Sequence, residues 1–265
     1  MPPSRVLRER VAAQSAMADV VAAQHLAGQQ STVSRFFGIS PLTMRARSSY
    51  RGALGELLVG DVLENLGQRW DVLHDVPLTA GSLDHLLIGP AGVFTVRTAN
   101  CRGVDVIVDD GALIVAGLGR DDILAAQAEA DEAALLLGAA AGKPIRVSPM
   151  LVVVDPHRLS VRTPGNAVCV IASSGLEKLL STAPPTMTGE DVAFVSDLAD
   201  LDATWPVSAT TALDPQQLHR DFGQIRSQVG TALVRRIVWA TVTTVIIYVS
   251  VCGVIVQLVS IMMMP

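Results

Sequence analysis

The side chains that could do chemistry cluster around one hairpin. Gly81 to Gly103 reads as two strands joined by Gly89-Pro90-Ala91-Gly92, residues that supply turn geometry. The first strand, Leu83 to Ile88, carries Asp84. The second, Val93 to Thr98, is rich in β-branched and aromatic residues and carries Arg97. Carboxylates are the ligands of hard divalent cations, so an acid on such a hairpin is a residue type that could serve one. Arg97 and Ala99, two apart on a strand, share a face, with Val93 and Thr95 behind them. Taken singly, Asp84 and Glu56 are better read as ordinary solvated charges.

Other chemistries are excluded more easily. Cys101, Cys169 and Cys252 form no CxxC and no Cys/His metal spacing, and they are most simply reduced thiols. The five histidines show no nucleophile–base pattern, and a lone strand histidine such as His85 is more often structural than catalytic. Gly138-Ala139-Ala140-Ala141-Gly142-Lys143-Pro144 imitates a phosphate-binding loop, but it is one residue short and has Pro144 where Ser or Thr is needed. It also runs from helix to strand, the wrong way round. Asp105, Asp109 and Asp110 read as turn and edge residues.

The stretch from about Arg51 to Asp155 resembles the NERD (nuclease-related) domain of the restriction-endonuclease-like, PD-(D/E)xK, superfamily. The residues that carry the resemblance are Gly52-Ala53-Leu54-Gly55-Glu56, Asp84-His85-Leu86-Leu87-Ile88-Gly89-Pro90 and Gly92-Val93-Phe94. It implies family-equivalent site positions at Glu56, Asp84, Arg97, Ala99 and Gln127, with Mg²⁺ or Mn²⁺ held by Asp84 and Glu56 if the site is active. Members of the family usually carry acid-x-Lys where this chain has Arg97-Thr98-Ala99. Arg97 puts a permanent cation at a metal-ligand position, and Ala99 has neither proton nor charge to offer. No catalytic residue is therefore assigned with assurance. Arg97 and His85 are candidate binding residues. Arg97 is expected to stand in the metal's place, paired with Asp84 and in one version also with Glu56.

The elements that must position these residues follow from periodicity. A helix is expected from Arg5 to about Gly28, packed on the domain, and a linker from Gln29 to Arg47. The cluster Arg45, Arg47 and Arg51 is read as a solvated face, with a phosphate or lipid headgroup as the alternative. Ser48 or Ser49 is expected to cap a helix from Tyr50 to Leu66. Strands follow at Trp70 to Leu78 and in the central hairpin, then a hairpin around Asp109-Asp110-Gly111. Asp121 opens a helix to about Leu137 with Ile123, Leu124, Ala128, Ala134, Leu135 and Leu136 apolar. Ile145 to Val154 reads as a buried, parallel strand. A short strand, Ala167 to Ala172, and helices at Leu176 to Leu180 and Gly189 to Ala199 complete the domain. The fold class is α/β: a restriction-endonuclease-like core of helix, three strands, helix, strand, its mixed sheet flanked by helices, plus one C-terminal transmembrane helix.

The chain has 265 residues, of which 50% are hydrophobic and 17% charged, against about 25% charged in a usual soluble domain. Much of the apolar excess lies at the C-terminus. Asp214-Pro215 starts an amphipathic helix with Leu218, Phe222, Ile225, Val229 and Leu233 on one face. Beyond Arg235-Arg236 no charge appears to the end, a run longer than the ~20 residues that cross a bilayer. Arginines on its N-terminal side only place the main domain in the cytoplasm. The expected segments are 1–47 (helix and linker), 48–205 (NERD-like domain), 206–236 (linker and juxtamembrane helix) and 237–264 (membrane span). No convincing signal peptide precedes them, a tail-anchored arrangement is expected, and the Arg- and Ala-rich composition suggests a bacterial source.

The net charge of −5 argues against a non-specific, charge-driven nucleic-acid binder. The expected function is a membrane-anchored, single-pass protein whose catalytically degenerate nuclease fold binds nucleic acid or a protein partner, with homo-oligomerisation open. The alternatives are an active metal-dependent endonuclease with relocated catalytic residues and a membrane scaffold that self-associates through its helices.

Overall fold

The computed structural model describes residues 6–26, 30–162, 167–207 and 214–262. Its centre is a five-stranded mixed sheet. Strands β1 (Asp71–Leu78), β2 (Gly81–Gly89) and β3 (Gly92–Asn100) form an antiparallel meander. Strand β7 (Val147–Val154) pairs in parallel with β3, and β9 (Cys169–Ala172) in parallel with β7. Helices cover both faces. On one lie α3 (Met44–Glu64) and α5 (Ser173–Thr182), which bury Val59, Leu63, Leu176 and Leu180 against Leu87, Val96, Met150 and Val152. On the other lie α4 (Asp122–Ala141) and α6 (Gly189–Ala199), which bury Ala133, Leu137, Val195 and Ala199 against Leu86, Ile88 and Val93. A strand covered on both faces must be apolar throughout, which is why Met150 to Val154 has no polar interruption.

The expected order of helix, three strands, helix, strand is present as α3, β1–β3, α4, β7. Between β3 and α4 the chain inserts a second, four-stranded sheet. It comprises β4 (Asp105–Asp109), β5 (Ala112–Val115) and β6 (Leu118–Arg120), with β8 (Arg158–Val161) added parallel to β4. Periodicity gives β4 and β5 but not β6 or β8: the three residues of β6 are all exposed, so no apolar face marks them.

Three local expectations are corrected. The N-terminal helix is broken: Val6–Glu9 forms a 3₁₀ turn, Ala13 takes φ 62°, and α1 begins only at Gln14 and ends at Leu26. Arg5 and residues 27–28 lie outside the described residues. The segment expected to be a linker contains a short helix, α2 (Thr32–Phe36), capped by Ser31. Helix α3 starts at Met44, because Thr43 rather than Ser48 or Ser49 takes the capping position and accepts from Ala46 N at 3.1 Å.

The last helix, α7, runs unbroken from Pro215 to Met262. Its first turns belong to the globular part. Leu218, Phe222 and Ile225 are buried with Met17, Val20 and Val21 of α1 and Tyr50 and Ala53 of α3. Past Ala232 the helix leaves the domain. Its most apolar window, long and hydrophobic enough to cross a membrane, is 0% buried by the rest of the chain.

Candidate functional site

The site lies where β2 and β3 part. Their backbone pairing ends at His85 and Val96. One residue on, the Asp84 carboxylate takes over, its Oδ2 accepting from the Thr98 N–H at 2.6 Å. Helix α3 comes close here because Gly55 allows it: a Cβ at that position would sit 3.2 Å from Asn100 Cβ and Thr98 Cγ2. This gives the Gly-x-x-Gly-Glu run its physical sense, since the close approach brings Glu56 to the end of the hairpin. Asn100 Nδ2 ties the same corner by donating to Arg51 O at 2.7 Å.

Burial dominates the electrostatics. It pushes the Glu56 carboxyl up to about 9, with the charges of Asp84 and Asp75 adding to the rise. Asp84 is pushed up to about 6 by burial, against the restraint of the Thr98 N–H and the Arg97 charge. Glu56 makes no hydrogen bond or ion pair among the described residues. At neutral pH it is therefore protonated, while Asp84 is mostly ionised.

Arg97 does not pair with either acid. Its Nη1 donates to Glu129 of α4, and its Nε lies 3.7 Å from Asp122 Oδ1. Burial opposes its charge, but the fields of Glu129, Asp84 and Asp122 hold its pKa above the usual value. Burial and the neighbouring acids push Glu129 up to about 7 even so. Asp122 is held a second time by Arg120, at 2.7 Å. The expected pairing of Arg97 with Asp84 and Glu56 is thus corrected in its partners. Arg97 is neutralised, but by two acids of the facing helix. A sequence signal for them exists: Asp122, Ala126 and Glu129 recur on one stripe of α4, so two acids sit in a face otherwise built of small apolar residues.

The remaining positions do not converge on this cluster. Ala99 is 1% exposed and packs with Ile123, Ala126, Leu151 and Val153. Gln127 donates along its own helix to Asp131 Oδ1 at 2.9 Å. His85, next to Asp84 on the strand, faces the opposite way and is fully buried beneath Gly60 of α3. Its Nδ1 meets His74 Nδ1 at 2.8 Å, and His74 Nε2 reaches Glu64 Oε1 at 3.2 Å. Burial lowers the pKa of both rings, most strongly that of His85.

The residues present do not fit the divalent cation that the resemblance implies. Asp84 has one oxygen committed to Thr98, the third ligand position is a guanidinium, and Ala99 offers no polar group. Among the described residues no three His, Cys, Asp or Glu side chains are arranged to hold a metal ion.

No curated protein and no solved structure matches the chain. A family model does, over residues 51–154, the stretch that runs from α3 through the hairpin to the end of β7. This part of the chain is a NERD, or nuclease-related, domain.

Proposed function

We propose that the protein presents a NERD domain that no longer cuts by metal-dependent chemistry, held at the inner face of a membrane by α7 as a single span. The domain's role on this reading is binding, of nucleic acid or of a protein partner. The observation that carries it is the engagement of Arg97 with Glu129 and Asp122: the cation at the ligand position is built into the fold by acids of the facing helix. A guanidinium held this way fills the ligand position beside Asp84 and offers a metal no lone pair. Arginines 226, 235 and 236, all on the domain side of the apolar run, support the cytoplasmic orientation.

The test uses the full chain in detergent with single- and double-stranded DNA and RNA and Mg²⁺ or Mn²⁺. Wild type, Asp84→Ala and the double variant Arg97→Glu with Ala99→Lys are compared, each checked for folding by circular dichroism. Wild type is expected to be silent, and wild-type cutting that Asp84→Ala abolishes overturns the reading. A thermal melt gives a second readout. Mn²⁺ is expected to leave the wild-type midpoint unmoved and to raise that of Arg97→Glu, because only the variant offers the cation a net-negative site.

A further inference from the structure

Between Thr32 and Ser40 the exposed apolar side chains are not scattered. Val33 is 66% exposed, Phe36 56%, Phe37 49% and Ile39 55%. All lie on α2 and the loop after it, a segment clamped onto α7 at one level. Trp239 Nε1 donates to Phe36 O at 3.0 Å, and its ring stands 5.1 Å and 5.3 Å from those of Phe36 and Phe37. Arg235 Nη1 donates to Arg35 O at 2.9 Å. Gly38, at φ +70°, lies flush on the helix: a Cβ there would come within 2.5 Å of Ala232 O and Arg236 N. This level is the boundary of the apolar run, which begins at Ile237. Aromatic rings beside the first turn of a spanning helix occupy the depth where tryptophan and tyrosine belts form.

On the domain side of the rings is a cleft of about 490 Å³ between α1, α2 and α7. Arg35 and Arg235 flank it, with Gln24, Gln30, Ser227 and Thr231 between them. Among the described residues no acid lines it, and neither arginine forms an ion pair. Two cations and a row of hydroxyls and amides suit a phosphate that bears a hydroxylated substituent.

We propose that the 31–40 segment is a second membrane contact, and that the cleft behind it holds the headgroup of an anionic, hydroxyl-bearing phospholipid. Phe36, Phe37, Ile39 and Val33 enter the boundary between headgroups and acyl chains beside Trp239, which stabilises the contact by burying their apolar area. Arg35 and Arg235 take the phosphate of a lipid in the same leaflet. The span and this contact together fix the tilt of the domain on the bilayer.

The inference rests on α7 crossing the membrane, so that is checked first and separately, by resistance of the full chain to carbonate extraction. The full chain is then placed in nanodiscs of equal parts phosphatidylcholine and phosphatidylglycerol, and the lipids it retains on release are identified by native mass spectrometry. Wild type is expected to retain phosphatidylglycerol severalfold over phosphatidylcholine. Arg35→Ala with Arg235→Ala is expected to bring the two to parity. Phe36→Ser with Phe37→Ser, which leaves the arginines in place, is expected to lower total lipid retained while the chain stays extraction-resistant. Retention in proportion to abundance by wild type, or a preference that survives loss of both arginines, overturns the proposal. So does loss of the preference on adding inorganic phosphate, which would assign the cleft to a soluble anion.

Discussion

Arg97 is the ion-pair partner of Glu129 in a largely buried corner, so its removal should be felt in stability. Arg97→Ala is expected to cost about 1–3 kcal/mol, read as a lower denaturant midpoint, because it leaves Glu129 without its partner while Asp122 keeps Arg120. Glu56 gives a pH prediction with a definite sign. Its carboxyl binds a proton more tightly in the folded chain, at about 9, than in the unfolded one. The stability it contributes is complete below the unfolded carboxylate range, falls as pH rises across the interval and is gone above about 9. Glu56→Gln keeps the shape and removes the titration. Its melting temperature should match wild type at pH 4 and exceed it by about 5 °C at pH 9. Of these residues, Glu56 and Asp84 are legible from the sequence because motif spacing marks them. Glu129 and Asp122 share a stripe with Ala126, but that signal is readable only once the inward face is known, and nothing local says which face of an alanine-rich helix turns inward.

That same helix shows where reading by elements succeeds and where it fails. The hairpin, the parallel strand β7 and the helix from Gly189 to Ala199 are legible because turn residues, apolar continuity and a Thr188/Asp191 capping box mark them directly. In α4 the leucines mislead: Leu124 and Leu135 are 67% and 74% exposed, while Ala126, Ala130 and Ala133 are buried. Small residues go inward because the helix lies close on the sheet, so size complementarity overrides hydrophobicity. The short helix α2 is missed for a related reason: its apolar residues face outward and carry no period. Its seating on α7 depends on one position. Gly38→Ala adds a methyl group to a left-handed residue pressed on the helix backbone. Hydrogen exchange of residues 31–40 should rise by an order of magnitude or more in that variant, with exchange in β1–β3 unchanged.

The whole molecule is tied together by its two ends. Arg10 and Asp75, each 3% exposed, form an ion pair that pins the N-terminal segment to the sheet, and Arg8 reaches both Asp71 and Asp200. The first turns of α7 then close the helical cluster over α1 and α3. A chain cut before Pro215 leaves Met17, Val21, Tyr50 and Ala53 uncovered. It should bind a hydrophobic dye and aggregate, whereas a chain cut after Leu233, which keeps the covering turns and drops the apolar run, should remain soluble. The apolar run and the domain therefore share one unbroken helix, from Phe222 in the core past Trp239.

This packing also sets an order of events during synthesis. The residues of α1 leave the ribosome early, but the surface that completes their burial arrives only with Leu218, Phe222 and Ile225, just ahead of the hydrophobic tail. Until then an apolar face stands open to chaperones and proteases. The face of α1 is thus covered only once the first turns of α7 have been made, after every other element of the domain.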